Sequence, residues 1–158
     1  MATHEHLARI HWQRGSAPFT DQRYSRAHSW RFDGGLEVPA SSSLHVVRTP
    51  MSVDAAIDPE EALVAALSSC HMLWFLSLAA NAGWRVDEYT DEAAGIMGRN
   101  GAGRIAMLRV TLRPRVSFSG EHLPGQADIT RLHHGAHQEC FIANSVTTEV
   151  RVEPLFDV

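Results

Sequence analysis

The chain has 158 residues, 44% hydrophobic and 20% charged, with a formal net charge of -4. This suits one globular domain, able to bury about two thirds of its unfolded surface without a disulfide, and it offers no general basic field to attract nucleic acid. The opening run Met1 to His6 has neither a basic leader nor an apolar segment with a cleavage site, so the expected compartment is the cytoplasm, where the two cysteines, Cys70 and Cys140, are more often chemical than structural.

In chain order, residues 7–47 mix short β-prone runs (Ala8 to Trp12, Ser29 to Phe32, Leu44 to Val47) with turn material at Gly34-Gly35 and Pro39 to Ser43, which predicts a small antiparallel meander. A helix is expected over 58–82. Asp58 can cap it, Pro59 can take the first helical position, Glu60 and Glu61 fall in the dipole-favoured first turn, and Gly83 is a natural stop. The run from Ala62 to Ala82 is apolar almost all round, so this helix is expected to be buried. Its length approaches that of a membrane span, but Ser68, Ser69, His71 and Ser77 interrupt it and its flanks lack the Lys/Arg bias that orients insertion. A soluble core helix with no membrane partner is the expectation.

Two β-compatible stretches within 84–118, separated by Gly98 to Gly103, read as a hairpin with that loop at its tip. Pro124-Gly125 then breaks the chain. Helical spacing through Ile129, Leu132, Ala136 and Cys140 predicts a second helix over 127–140, and alternation at Val146, Thr148, Val150 and Val152 predicts a final strand over 145–152. With no repeat or linker, these segments form one α+β domain.

Cys70 lies too deep in its helix for the macrodipole to make a thiolate, since that field acts within the first turn. An activating cation must come from elsewhere, and Arg14, Arg23, Arg26, Arg31 and Arg48 of the meander are the obvious supply. His133, His137 and Cys140 are spaced to share one helical face. A solvated polar face accounts for such histidines more often than a metal site does, and no metal or other cofactor is expected. His71 reads as a core histidine more readily than as a base.

Two stretches carry a more specific signal. Asp58-Pro59-Glu60-Glu61-Ala62-Leu63, running on to Ala66-Leu67-Ser68-Ser69-Cys70-His71, resembles the cysteine-bearing helix of the OsmC/Ohr peroxidases. His137-Gln138-Glu139-Cys140-Phe141-Ile142-Ala143-Asn144-Ser145-Val146 resembles the second-cysteine motif of that family. The resemblance covers almost the whole chain in order. It implies an OsmC-like α+β fold, with antiparallel sheets packed on a buried central helix, in an intertwined homodimer with each active site at the subunit boundary.

It further implies that Cys70 is the peroxidatic cysteine, Cys140 the resolving one, Glu60 the active-site glutamate and Arg26 the activating arginine. Arg26 would favour the thiolate, and Glu60 would hold the guanidinium. Cys70 would attack an organic hydroperoxide and become a sulfenic acid. Cys140 would close the disulfide, and an external dithiol (a lipoyl protein, thioredoxin or a small thiol) would reduce it. Such a bridge needs Cα atoms roughly 4.4 to 6.8 Å apart. Leu67, His71, Leu73, Trp74 and Phe75 around the cysteine are the expected apolar pocket for the substrate. The alternative is a non-catalytic ligand- or metal-binding protein of the same fold.

Overall fold

Short strands alternating with turns give the N-terminal region its predicted meander, with one strand displaced. In the computed structural model, which describes residues 3–156, β1 (Ala8–His11), β2 (His28–Phe32) and β3 (Glu37–Ala40) form an antiparallel sheet in the order β1-β2-β3. Leu44 to Val47 is not a strand. The amides of Val46 and Val47 both donate to the Ser43 carbonyl, and that of His45 donates to the Ser43 hydroxyl, so one serine offers the segment a local alternative to a ladder. The third strand instead includes Pro39, which the sheet tolerates because β3 lies at its edge.

The chain forms two compact units, Met1–Ala62 and Leu63–Val158, whose boundary falls in the first turn of helix α1 (Pro59–Asn81). That helix starts as its sequence demands. The Asp58 carboxylate accepts the Glu61 amide at 2.8 Å, and the Glu61 carboxylate accepts the Asp58 amide at 3.2 Å, a reciprocal capping box. It stops at Gly83, whose φ of 82° is open to glycine at no steric cost; Gly83 N–H donates to Ala80 O and Trp84 N–H to Ala79 O, closing a Schellman motif.

Although α1 is apolar on every side, only Leu67, His71, Phe75 and Ala79 are buried within the chain. Their spacing of four marks a single stripe. Leu73, on another face, is 60% exposed. By length and composition alone α1 could cross a bilayer.

The predicted hairpin is built in two stages. At its far end β5 (Ala94–Arg99) pairs with β6 (Ile105–Leu112) around the Asn100 to Gly103 tip, and at its base β4 (Arg85–Asp91) pairs with β7 (Pro114–Ser119). The two stages meet at Asp91, whose carboxylate accepts the Arg113 amide at 2.6 Å and the Ser68 hydroxyl at 2.5 Å. The bend thus keeps its hydrogen bonds and is tied to α1.

Helix α2 (Gln126–Glu139) follows, its entry fixed by the Asp128 carboxylate accepting the Gly125 amide at 2.9 Å. The last strand, β8, spans Glu149–Val152 and begins later than expected, because Ala143–Ser145 forms a 3-10 turn. It joins β6 in parallel, not antiparallel, register. A parallel partner requires a crossover connection, and α2 lies on the connection between β7 and β8.

The second unit has two cores along α1. One is aliphatic: Leu67, Val110 and Leu112, with Val64, Met107, Val150 and Val152 against them. The other is aromatic: Phe75, Ala79 and Ala136, with Trp84, Tyr89, Phe118, Ile129 and Leu132 around them.

Candidate functional site

Cys70 lies on α1 between Leu67 of the aliphatic core and Phe75 of the aromatic one, and is half-buried. Cys140 terminates α2, where its backbone turns extended (φ -64°, ψ 109°), and is 1% exposed. Both thiols are free, and they are close enough to act on each other. Burial pushes the Cys140 thiol up from its ordinary value, and the adjacent Cys70 side chain pushes the same way. The Ala143 amide, which donates to Cys140 Sγ at 3.4 Å, works against that rise by favouring the thiolate. Next to Cys140, Phe141 meets Trp74 edge-on, with ring centroids 5.4 Å apart.

Arg26 and Glu60 belong to the first unit. The Arg26 guanidinium donates to the carbonyls of Gln22 (2.6 Å) and Tyr24 (2.5 Å), and lies 3.8 Å above the centre of the Tyr24 ring. Gln22 reaches it from a left-handed conformation, φ 64°. Tyr24 itself packs with Phe19 and Trp12 at 4.7 and 5.4 Å. Glu60, in the first turn of α1, is half-buried. Among the described residues no ion pair joins Arg26 to Glu60.

The five side chains expected to line a substrate pocket are divided among different environments. Leu67 and Phe75 have no exposure and fill the two cores; His71 is 1% exposed; Leu73 lies at the surface; Trp74 is half-buried against Phe141. A helix turns about 100° per residue, so consecutive residues cannot share one wall. Of the five, Leu73 and Trp74 keep apolar surface.

The structure adds a cluster whose burial sequence reasoning missed. His133 is not on a solvated face: it is 3% exposed and stacks on Phe75 with centroids 4.3 Å apart. His71 Nε2 and His133 Nδ1 share a hydrogen bond of 3.0 Å, and their rings lie parallel to within 7°. His71 is held down to about 4, by burial first and by His137 second, and His133 to about 3, by burial and then by His71. Both imidazoles are therefore neutral near neutrality. His71 Nδ1, His133 Nε2, His137 Nδ1 and the Tyr89 hydroxyl are buried without a hydrogen-bond partner, an arrangement that typically costs about 1–3 kcal/mol per group. The signal lay in spacing: 133, 136, 137 and 140 form one helical face, and Ala136 and Cys140 on it are apolar.

Among the described residues no three His, Cys, Asp or Glu side chains converge as a metal ion requires. What the second unit presents is an α+β scaffold that sets two reduced cysteines side by side at the junction of a long apolar helix and a shorter one. Residues 52–154 match the family described as OsmC: OsmC-like protein, and the chain belongs to that family.

Among solved structures it is 54% identical to the OsmC-like protein of unknown function VCA0330 from Vibrio cholerae, with a TM-score of 0.95 over 97% of this chain and 100% of that one. An organic hydroperoxide resistance protein from Elizabethkingia anophelis is 18% identical, with a TM-score of 0.70 over 97% of this chain and 95% of that one. The organic hydroperoxide resistance protein OhrB of Bacillus subtilis is 16% identical, with a TM-score of 0.67 over 98% of this chain and 100% of that one. These last two likenesses are of fold. No curated protein matches the chain.

Proposed function

We propose that the protein is a thiol peroxidase that reduces organic hydroperoxides to alcohols in a reducing, cytoplasmic compartment. The observation that carries this reading is the pairing of the chain's two cysteines, both free and mutually adjacent, in an OsmC-like fold. The Cys70 thiolate attacks the distal peroxide oxygen; the O–O bond breaks, the alkoxide leaves and takes a proton as alcohol, and Cys70 becomes a sulfenic acid. Cys140 then condenses with it, forming the disulfide and releasing water. An external dithiol restores both thiols by exchange.

In this reading Arg26 turns from its carbonyl partners to favour the thiolate, and Glu60 holds the guanidinium. The protein works as a homodimer. The apolar faces of α1 left uncovered within one chain, including Leu73, support such an interface.

Substitution separates the roles. Cys70→Ser should abolish consumption of tert-butyl hydroperoxide. Cys140→Ser should complete one turnover and leave a sulfenic acid that a dimedone probe captures on Cys70. A Cys140→Ser protein that forms no sulfenic acid would contradict the assignment.

A further inference from the structure

Closing the disulfide asks two things of Cys140: its sulfur must stay beside Cys70, and its thiol must lose a proton. Helix α2 secures neither. It ends at Glu139, and Cys140 already has an extended backbone (φ -64°, ψ 109°). The last turn of a helix is where fraying begins, because its carbonyls lack intrahelical partners. Burial and the neighbouring Cys70 thiol both favour the protonated form of Cys140.

The turn that follows answers both needs with hydrogen bonds. The Ala143 amide donates to Cys140 Sγ at 3.4 Å, and a donor aimed at the sulfur favours the thiolate. Asn144 donates twice, back to the end of α2. Its backbone N–H reaches the Cys140 carbonyl at 3.0 Å, and its side-chain amide reaches the Gln138 carbonyl at 2.9 Å. Ser145 closes the turn, with its hydroxyl on the Phe141 carbonyl at 2.7 Å and its amide on the Ile142 carbonyl at 3.0 Å. On the inner side, Ile142, Ala143 and Val146 pack on the aliphatic core around Leu67. Phe141 rests edge-on against Trp74, one helical turn beyond Cys70 on the same face of α1. Asn144 itself is exposed. It fills no core; it ties the turn to the helix end.

We propose that Asn144 is a positioning residue for disulfide closing: by holding Gln138, its side-chain amide keeps the Ala143 amide on the Cys140 sulfur and that sulfur beside Cys70. The proposal rests on the peroxidase reading for its oxidant, an organic hydroperoxide. In the step concerned the Cys140 thiol gives up its proton, and the thiolate attacks the sulfur of the Cys70 sulfenic acid. The S–S bond forms as the S–O bond breaks, and the departing hydroxide takes up one proton and leaves as water. Asn144 acts on this step through the turn and takes no part in the attack of Cys70 on the peroxide.

The surroundings of Cys140 make the amide's effect on its sulfur readable. The titratable group acting on its thiol is Cys70 of α1. On α2 the adjoining Glu139 is exposed, and the turn from Phe141 to Val146 carries no charge. From β6 and β8 the side chains packed in the same core are Val110, Leu112, Val150 and Val152.

The test is rapid-quench alkylation of the full-length protein, following loss of each thiol after one equivalent of tert-butyl hydroperoxide and, separately, after diamide. With diamide, Cys70 adds across the N=N bond and Cys140 displaces it, so the same disulfide closes without a peroxide and the hydrazine product takes both thiol protons. Asn144→Leu keeps the branched shape without a donor, and Asn144→Ala removes both; neither adds charge. In both variants closing should slow about tenfold, the size of one hydrogen bond, while Cys70 is oxidised at the wild-type rate. Dimedone should therefore capture more sulfenic acid than in the wild type. The pH at which closing reaches half its maximal rate should also move upward, since the Ala143 amide no longer favours the thiolate. A residue needed merely for folding would slow both steps together and leave that midpoint in place. Closing at the wild-type rate in either variant, equal slowing of both steps, or an unmoved midpoint overturns the positioning role.

If tert-butyl hydroperoxide oxidises neither cysteine while diamide closing keeps its dependence on Asn144, the peroxidase reading fails and the positioning role stands. Should the variants not fold, hydrogen exchange in the reduced wild-type protein decides. Ala143 and Asn144 amides protected well beyond open-chain rates support the tethered turn, and exchange at open-chain rates overturns it.

Discussion

The two cores of the second unit hang on the same stripe of α1 but are built from different chemistry. Around Leu67 the apolar side chains that pack together are aliphatic or sulfur-bearing. Around Phe75, two turns on, the apolar neighbours mix aromatic with aliphatic side chains, and the His71–His133 pair is buried beside them. The core around Phe75, through its histidine pair, answers to pH as well as to volume. Cys70 sits between them, on the helix that both hold.

The largest expected effect comes from breaking the aromatic side. Phe75→Ala should cost about 3–5 kcal/mol, and should exceed Leu67→Ala because it also removes the face on which His133 stacks. Urea unfolding of the two variants checks this, and an equal loss would show the stack to be idle.

Acid should separate the two cores next. An unfolded histidine titrates near 6.5, whereas folded His71 and His133 are held at about 4 and about 3. Above that unfolded value both states are neutral and the pair is indifferent to pH. As pH falls below it, the unfolded chain takes up protons that the fold refuses, so stability declines until the folded values are reached, by on the order of 3–5 kcal/mol for each histidine. Unfolding curves at a series of pH values should show this slope in the wild type and a flattened one in His71→Phe/His133→Phe. A slope preserved in the double variant would assign the acid sensitivity elsewhere.

The smallest effect sharpens the aliphatic side. A Cβ at Gly95 would come within 2.6 Å of Met107 Sδ and 2.8 Å of Val64 Cγ2. Gly95→Ala should therefore destabilise by about 1–3 kcal/mol through overpacking, with no pH dependence of its own. Thermal melts near neutrality and in mild acid would reveal both features.

What could be read from the sequence was local. Asp58, Pro59, Glu61 and Gly83 fix the ends of α1 through bonds reaching no further than a few residues, and the hairpin tip is likewise written in Asn100 and Gly103. What escaped was set by distant partners. β3 replaced Leu44 to Val47 as the third strand because Glu37 to Ala40 matches β2 in register. β8 runs parallel to β6 because the chain returns through α2. His133 looked like a surface residue since its burial depends on Phe75 and His71, about sixty positions away in sequence.

The site divides in the same way. Two cysteines and their flanking motifs were visible at once, but α1's period of four sent Leu67, His71 and Phe75 inward and, of the five expected pocket residues, left Leu73 and Trp74 with accessible apolar surface.

The central claim, that Cys70 and Cys140 are one redox pair acting on organic hydroperoxides, is tested most directly by counting free thiols in the reduced protein before and after one equivalent of cumene hydroperoxide. The account predicts loss of both thiols, appearance of a Cys70–Cys140 disulfide in the peptide map, and release of one equivalent of the alcohol. Two thiols still free while the hydroperoxide is unconsumed would contradict it.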